Sequence, residues 1–212
     1  MQVLIVSDIH GNLPALQKVF EAERSFDMLV SLGDVVNYGP WGNECVDLLE
    51  SVKNKIMILG NHETDFINGF YSGENPVVKA FFETCYGHFD RIDIIRQYKT
   101  CEFLQDFKLI HTIDNAYVTS ESTIELSENV LLGHSHWQFL RRSNGYCLMN
   151  PGSVGQNRSN PNIINYALWD TKSIQFEFKY LTYDACVLIG KMREMNFPDI
   201  CLNYITNKMS RK

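Results

Sequence analysis

The chain has 212 residues, 45% of them hydrophobic and 21% charged, which is ordinary usage for one well-filled core and excludes a disordered or low-complexity chain. A formal net charge of −6 lacks the broad basic surface that nucleic-acid backbones require, so dedicated nucleic-acid binding is not expected. The longest apolar runs, Met28 to Leu32 and Ile56 to Leu59, fall far short of the roughly 20 residues of a membrane span.

The first element is the apolar run Val3 to Val6. No basic leader or small-residue cleavage site precedes it, so the protein is expected to stay in the cytoplasm. The run leads into the polar string SDIHGN, Ser7 to Asn12, and then into a helix near Leu13 to Arg24. Met28 to Leu32 repeats the pattern, leading through Gly33 to Pro40 into a helix near Asn43 to Val52. Ile56 to Leu59 begins a third unit and runs into Gly60 to Glu63. This alternation is that of a parallel sheet with helices on its faces, and ligands of such sheets sit at the carboxyl ends of the strands. Asn75 to Phe89 is predicted helical, and Arg91 to Tyr98 is a second short helix. Short strand signals follow at Phe107 to His111, Val130 to Leu132, Trp137 to Arg141, Tyr146 to Met149, Tyr166 to Trp169 and Ile174 to Tyr180. Asp184 to Met195 reads as a closing amphipathic helix. The expectation is one mixed α/β domain over residues 1–212. Six cysteines stand singly without a CxxC pair, and read as small core residues in a reducing compartment.

Of the six histidines, His10, His62, His111, His134 and His136 fall at predicted strand ends beside glycine or another ligand-type residue, and His88 falls outside. Asp8 and His10 are two residues apart after the first strand, so both can lean toward one point above the sheet. Asp34 follows the second strand, Asn61 and His62 the third, His111 a fourth, and His134 with His136 a fifth. Any one of these strings alone is an ordinary turn or cap. Together, in order, at successive strand ends, they form a mixed set of carboxylates, imidazoles and one amide. Such a set suits borderline divalent ions better than an all-oxygen calcium site and is large enough for two ions.

The ordered set Asp8-x-His10, Gly33-Asp34, Gly60-Asn61-His62-Glu63, His111 and Gly133-His134-x-His136 resembles the calcineurin-like metallophosphoesterase superfamily. The strings LGDVVNYGP and NPGSVGQNR are similar to its small prokaryotic YfcE-type phosphodiesterase branch. The resemblance implies a four-layer αββα sandwich with two mixed sheets. It implies that Asp8, His10 and His136 hold one divalent ion, that Asn61, His111 and His134 hold the other, and that Asp34 bridges them. Mn2+ is the expected metal, with Fe, Zn, Ni and Co as alternatives. Two such ions can activate a shared water and clamp the phosphate oxygens of a small phosphate ester. His62, which the resemblance leaves unligated, is expected to be the general acid. The bland alternative is a histidine that hydrogen-bonds its loop.

In the Ser/Thr phosphatase branch an aspartate and an arginine follow the bridging aspartate, and here Asn37 and Tyr38 stand in those places, which disfavours a protein phosphatase. Asn37 and Arg158 are the candidate substrate contacts, Arg158 through a bidentate guanidinium or, alternatively, as a surface cap of a turn. Thr112 follows His111 where relatives commonly have glycine, narrowing access there. The aromatic stretch Phe66 to Phe89 is open between base stacking, core packing and a homo-oligomer contact. The expected function is hydrolysis of small, nucleotide-type phosphodiesters such as dinucleoside polyphosphates or cyclic nucleotides. A phosphomonoesterase and a non-catalytic scaffold of the same fold are the competing readings.

Overall fold

A computed structural model describes residues 1–209, so the last three residues of the expected 1–212 unit lie outside it. The strands are β1 (Gln2–Val6), β2 (Met28–Ser31), β3 (Lys55–Met57), β4 (Cys101–Leu104), β5 (Phe107–Ile110), β6 (Asn129–Leu131), β7 (Gln138–Ser143), β8 (Tyr146–Pro151), β9 (Ile163–Asp170) and β10 (Gln175–Thr182). The helices are α1 (Leu13–Ala22), α2 (Gly42–Glu50), α3 (Asn61–Asn68), α4 (Pro76–Tyr86), α5 (Ile92–Ile95), α6 (Cys186–Glu194) and α7 (Asp199–Met209). Two five-stranded mixed sheets result, in the orders β10-β9-β1-β2-β3 and β4-β5-β6-β8-β7.

In the first sheet β1, β2 and β3 run parallel, as their helical crossovers require, and β9 and β10 add antiparallel strands at one side. Val3 to Val6 are wholly buried, because this strand is covered on both faces, which is why its sequence is continuously apolar and does not alternate. Leu4 and Val6 face Leu16, Val19, Val46 and Leu49 of the helices, and Val3 and Ile5 face Phe107, Leu109, Leu131 and Met149 of the second sheet. The two sheets therefore stack on one apolar layer, with the helices against the outer face of the first. Over the outer face of the second sheet, Val130, Leu132, Phe139 and Leu148 are covered by Val118 and Leu126. Val118 and Leu126 belong to the irregular segment between β5 and β6, which lies over that face.

The strand ends carry the site because the parallel registers bring them together. Pairing of Val6 with Ser31 sets the loops after β1 and β2 side by side, and backbone bonds continue the ladder past the strands, from Asp8 N to Gly33 O at 3.0 Å and from His10 N to Asp34 O at 2.9 Å. Gly133 N donates to His111 O at 3.0 Å, which joins the loops after β5 and β6 in the same way. α6 and α7 pack on α4 through Phe81, Leu188, Ile189, Met192, Phe197, Cys201 and Ile205.

Candidate metal centre

Asp8 and His10 leave the end of β1, Asp34 leaves β2, and Asn61 and His62 open α3 after β3. His111 ends β5, and His134 and His136 follow β6. The structure brings all eight to one place. Three groups could each hold an ion, Asp8 with His10 and His136, His10 with Asp34 and His62, and Asp34 with His111 and His134, their ligand atoms lying within 4.8 Å of one another in each group. The groups form a chain through His10 and Asp34.

The hydrogen bonds behind these side chains decide what their front atoms can do. His10 Nδ1 lies 3.3 Å from Val36 O, His111 Nδ1 2.7 Å from Leu32 O, and His136 Nδ1 2.7 Å from Gln156 O. A carbonyl only accepts, so each Nδ1 carries a proton and each ring turns its Nε2 toward the centre. His10 Nε2 and His136 Nε2 then face each other at 3.2 Å, and Asp8 Oδ1 lies 3.2 Å from His136 Nε2. That carboxylate oxygen is buried without a hydrogen-bond donor. On the other side His111 Nε2 is 3.1 Å from Asn61 Oδ1, 3.2 Å from His134 Nδ1 and 3.1 Å from Asp34 Oδ2. Carboxylate, imidazole and amide donor atoms converging in a buried site, one carboxylate oxygen among them without a partner, are matched by a cation between them. The residues present therefore fit divalent metal.

Burial disfavours charge on every group here, and the balance against neighbours differs group by group. Asp8 would be raised by burial, but His136 outweighs this and holds it at about 2. Asp34 likewise stays well below the ordinary carboxylate range despite burial, through His111 and His62. Burial lowers His10 and His62, and with the neighbouring charge of His111 it lowers His134 to about 4. His111 runs the other way. The charge and hydrogen bond of Asp34 overcome burial and raise it to about 10.

His62 lies behind the bridging position, with Nε2 3.9 Å from Asp34 Oδ2. Asn37, expected at the substrate, is 1% exposed and both its polar atoms are engaged. Its Oδ1 accepts from Tyr38 N at 2.8 Å, and its Nδ2 therefore points at His62 Nδ1, 3.0 Å away. The substrate contact expected of Asn37 is thus replaced by a contact to His62. Arg158 is no solvated turn cap. It donates to Ser135 O at 3.2 Å, Gln156 Oε1 at 3.4 Å and Tyr117 OH at 3.0 Å, and its guanidinium lies over the Tyr117 ring, which packs on His134.

The sequence reading gave no role to Glu63, Asn150, Ser153 or Tyr204. The Glu63 carboxylate accepts from the backbone N–H groups of Asp34, Gly60, Val35 and Val36 at 2.8, 2.8, 2.8 and 3.0 Å, pinning the loop that carries Asp34. A glutamate three residues after the glycine that opens a helix is a legible signal for such a cap. Asn150 donates to Gly133 O at 2.6 Å and Ser153 Oγ to Asp8 O at 2.8 Å, so the NPGSVGQNR string ties the loops after β1 and β6 together. Tyr204, on α7, donates to Gln156 Oε1 at 3.0 Å and faces Tyr38, whose ring packs on His10 and His62. The base-stacking reading of the Phe66 to Phe89 stretch is corrected. Phe66, Phe82, Tyr86 and Phe89 pack on one another with ring centroids 5.1 to 5.6 Å apart, and Phe66 and Phe82 are core residues.

Stacked mixed sheets with carboxylate, imidazole and amide groups converging at their strand ends define a metal-dependent phosphoric ester hydrolase. Residues 1–173 match the model of the calcineurin-like phosphoesterases, and the chain belongs to that family, whose members use divalent metals. The chain is 26% identical over 237 residues to the uncharacterized protein MJ0912 of Methanocaldococcus jannaschii, covering 93% of this chain and 94% of that one. A 42-residue stretch, 19% of this chain and 23% of the relative, is 50% identical to the phosphodiesterase YfcE of Escherichia coli. Among solved structures, a metallophosphoesterase from Sphaerobacter thermophilus superposes with a TM-score of 0.79 at 22% identity, covering 98% of this chain and all of the other. No described helix is long and apolar enough to cross a membrane.

Proposed function

We propose that this chain hydrolyses small phosphodiesters of nucleotide type in the cytoplasm. Asp8, His10 and His136 would hold one divalent ion and Asn61, His111 and His134 a second, with Asp34 within reach of both. The observation that carries the reading is the convergence of imidazole Nε2 and Nδ1 and carboxylate oxygen atoms on both sides of Asp34. The identity with the phosphodiesterase YfcE over 42 residues supports the diester. The nitrogen and oxygen donors suit Mn2+, with Fe, Zn, Ni or Co as alternatives. When bound, two divalent ions supply an acidified water and Lewis-acid polarisation of the phosphoryl oxygens.

The chain's own residues do the rest. Because Asn37 Nδ2 donates to His62 Nδ1, neutral His62 carries its proton on Nε2, the atom nearer Asp34, where it can pass to the departing alkoxide oxygen. Arg158 offers guanidinium protons to a non-bridging phosphate oxygen in exchange for its neutral partners. Tyr38 closes the side of His10 and His62 against water.

Hydrolysis of bis-p-nitrophenyl phosphate and p-nitrophenyl phosphate with added manganese tests this. The diester should be the better substrate, and His62→Ala and Asp34→Asn should each lower kcat by about 100-fold or more. Faster turnover of the monoester, or a His62→Ala enzyme as fast as the parent, would sink the reading.

A further inference from the structure

A cavity of about 440 Å³ opens directly from Asn61, His111 and His134, and no step above uses it. Its wall is made of Thr64, Asp65, Ser72, Thr100, Thr112 and Asn115, and no lysine or arginine is among the described residues that line it. Three of the four hydroxyl protons of this wall are already committed. Thr64 Oγ1 donates to Gly60 O at 3.0 Å, Ser72 Oγ to Asp65 Oδ1 at 2.8 Å, and Thr112 Oγ1 to Ala116 O at 2.8 Å. A hydroxyl has one proton and two lone pairs, so these three present lone pairs to whatever enters, beside the carboxylate of Asp65. Beyond the ion that Asn61, His111 and His134 would hold at its mouth, a phosphate oxygen, which is anionic and only accepts, meets no lysine or arginine in this wall. An alcohol hydroxyl donates and is matched. Thr112, placed where relatives of this fold commonly have glycine, contributes one of the acceptors.

We propose that the cavity binds an uncharged, hydroxyl-rich substituent of the phosphate ester, of glycerol or sugar type, through hydroxyls that donate to Thr64, Ser72, Thr112 and Asp65. The proposal rests on the phosphodiesterase reading for the position of the phosphorus and narrows its substrate. Past the ion at Asn61, His111 and His134, a polyphosphate chain would find no lysine or arginine in the cavity wall to balance its further charges.

Titration calorimetry of the manganese-loaded chain should compare glycerol 1-phosphate with propyl phosphate, which has the same carbon skeleton without the two hydroxyls. The glycerol ester should bind about tenfold more tightly, the selectivity of a site built around hydrogen bonds to hydroxyl groups. That ratio should shrink toward one in Thr64→Val and Asp65→Asn, and glycerol 1,3-bisphosphate should bind less tightly than the monophosphate. Equal affinity of the two monophosphates for the parent protein, or tighter binding of the bisphosphate, overturns the inference without need of any variant. Hydrolysis is scored apart from binding. Selective binding with no ester turned over keeps the cavity's assignment and removes the phosphodiesterase reading, and turnover without hydroxyl selectivity does the reverse.

Discussion

Asp8, His10, Asp34, Asn37, Tyr38, His134 and His136 all hold left-handed backbone, with φ between 51° and 68°. A residue with a Cβ gives up on the order of 1 kcal/mol in that conformation, so seven around one centre is strain that the surrounding sheets must over-determine. The left-handed turn lets residues two apart, such as Asp8 with His10, aim at one point although they sit beyond the end of a strand. Asn37 acts through His62 in this arrangement. Asn37→Ala should lower kcat by about tenfold and His62→Ala by about 100-fold, and the double variant should be no slower than His62→Ala alone, because the asparagine has nothing left to orient. Additive losses would place Asn37 elsewhere in the reaction. The buried imidazoles also set how the metal-free chain responds to pH. His10 and His62 are held below their ordinary 6.5, and His134 at about 4. Below pH 6.5 the unfolded chain therefore binds protons that the folded chain refuses, and stability falls with pH toward 4. His111, raised to about 10, has the opposite sign. Its stabilisation is complete below 6.5 and is lost as pH rises through 10. Asp8, held at about 2, keeps its contribution above its ordinary 3.8 and loses it as pH falls through 2. Calorimetry of chelator-treated protein should give the highest Tm near pH 6.5, and a Tm that climbs steadily up to pH 10 would contradict these assignments.

At the scale of elements, the junction of β3 with α3 does the most to assemble the centre. Gly60 and Gly33 touch across it. A Cβ on Gly33, whose φ is +95°, would stand 2.7 Å from His111 Nδ1 and 2.8 Å from Gly60 Cα, so neither loop tolerates a side chain at that crossing. Glu63 then binds the two loops through four backbone N–H groups. Glu63→Ala would leave four buried donors unpaired, and the cost should be about 3 kcal/mol or more, which lowers Tm by roughly 6–12 °C in a chain of this size. Glu63→Gln should be nearly as damaging, because its NH2 must face a backbone N–H. Parent-like melting of Glu63→Gln would show that the carboxylate is not what holds the loops. α3 itself escaped the sequence reading. It follows a glycine with no side chain to cap it, and its first two residues face the centre, so Glu63 at the third position is the one local signal that announces it. β4 escaped for a related reason, since it is a short edge strand whose Phe103 is 55% exposed, and β-propensity without burial is a weak signal.

Over the whole molecule, the family match ends at residue 173 while the fold does not. β10 pairs with β9 along eight residues, from Gln175 with Asp170 to Thr182 with Ile163, and α6 and α7 cover Phe81. α7 also delivers Tyr204 to the wall beside Tyr38. A chain ended after Asp170 would expose the β9 edge and the apolar face of α4, and should be recovered as aggregate. Recovery of a monomeric, cooperatively melting fragment would show that residues beyond 173 are an addition and not part of the core.

The sequence by itself determined the class of fold and picked out the candidate ligand residues that the structure brings together. Continuous apolar runs of four or five residues ending in polar strings fix a sheet buried on both faces, and the same strings carry Asp8, His10, Asp34, Asn61, His62, His111, His134 and His136. Local order along the chain was enough because these residues sit at the ends of five strands, β1, β2, β3, β5 and β6. Only the tertiary structure decided what stands behind and beside those ligands. The turn of Asn37 toward His62, the three bonds of Glu63 to the Asp34 loop, the seat of Arg158 against Tyr117 and the approach of Tyr204 join residues 25 to 48 positions apart. Such pairings are set by how two sheets and a distant helix pack, and no periodicity of 2 or 3.6 residues encodes them.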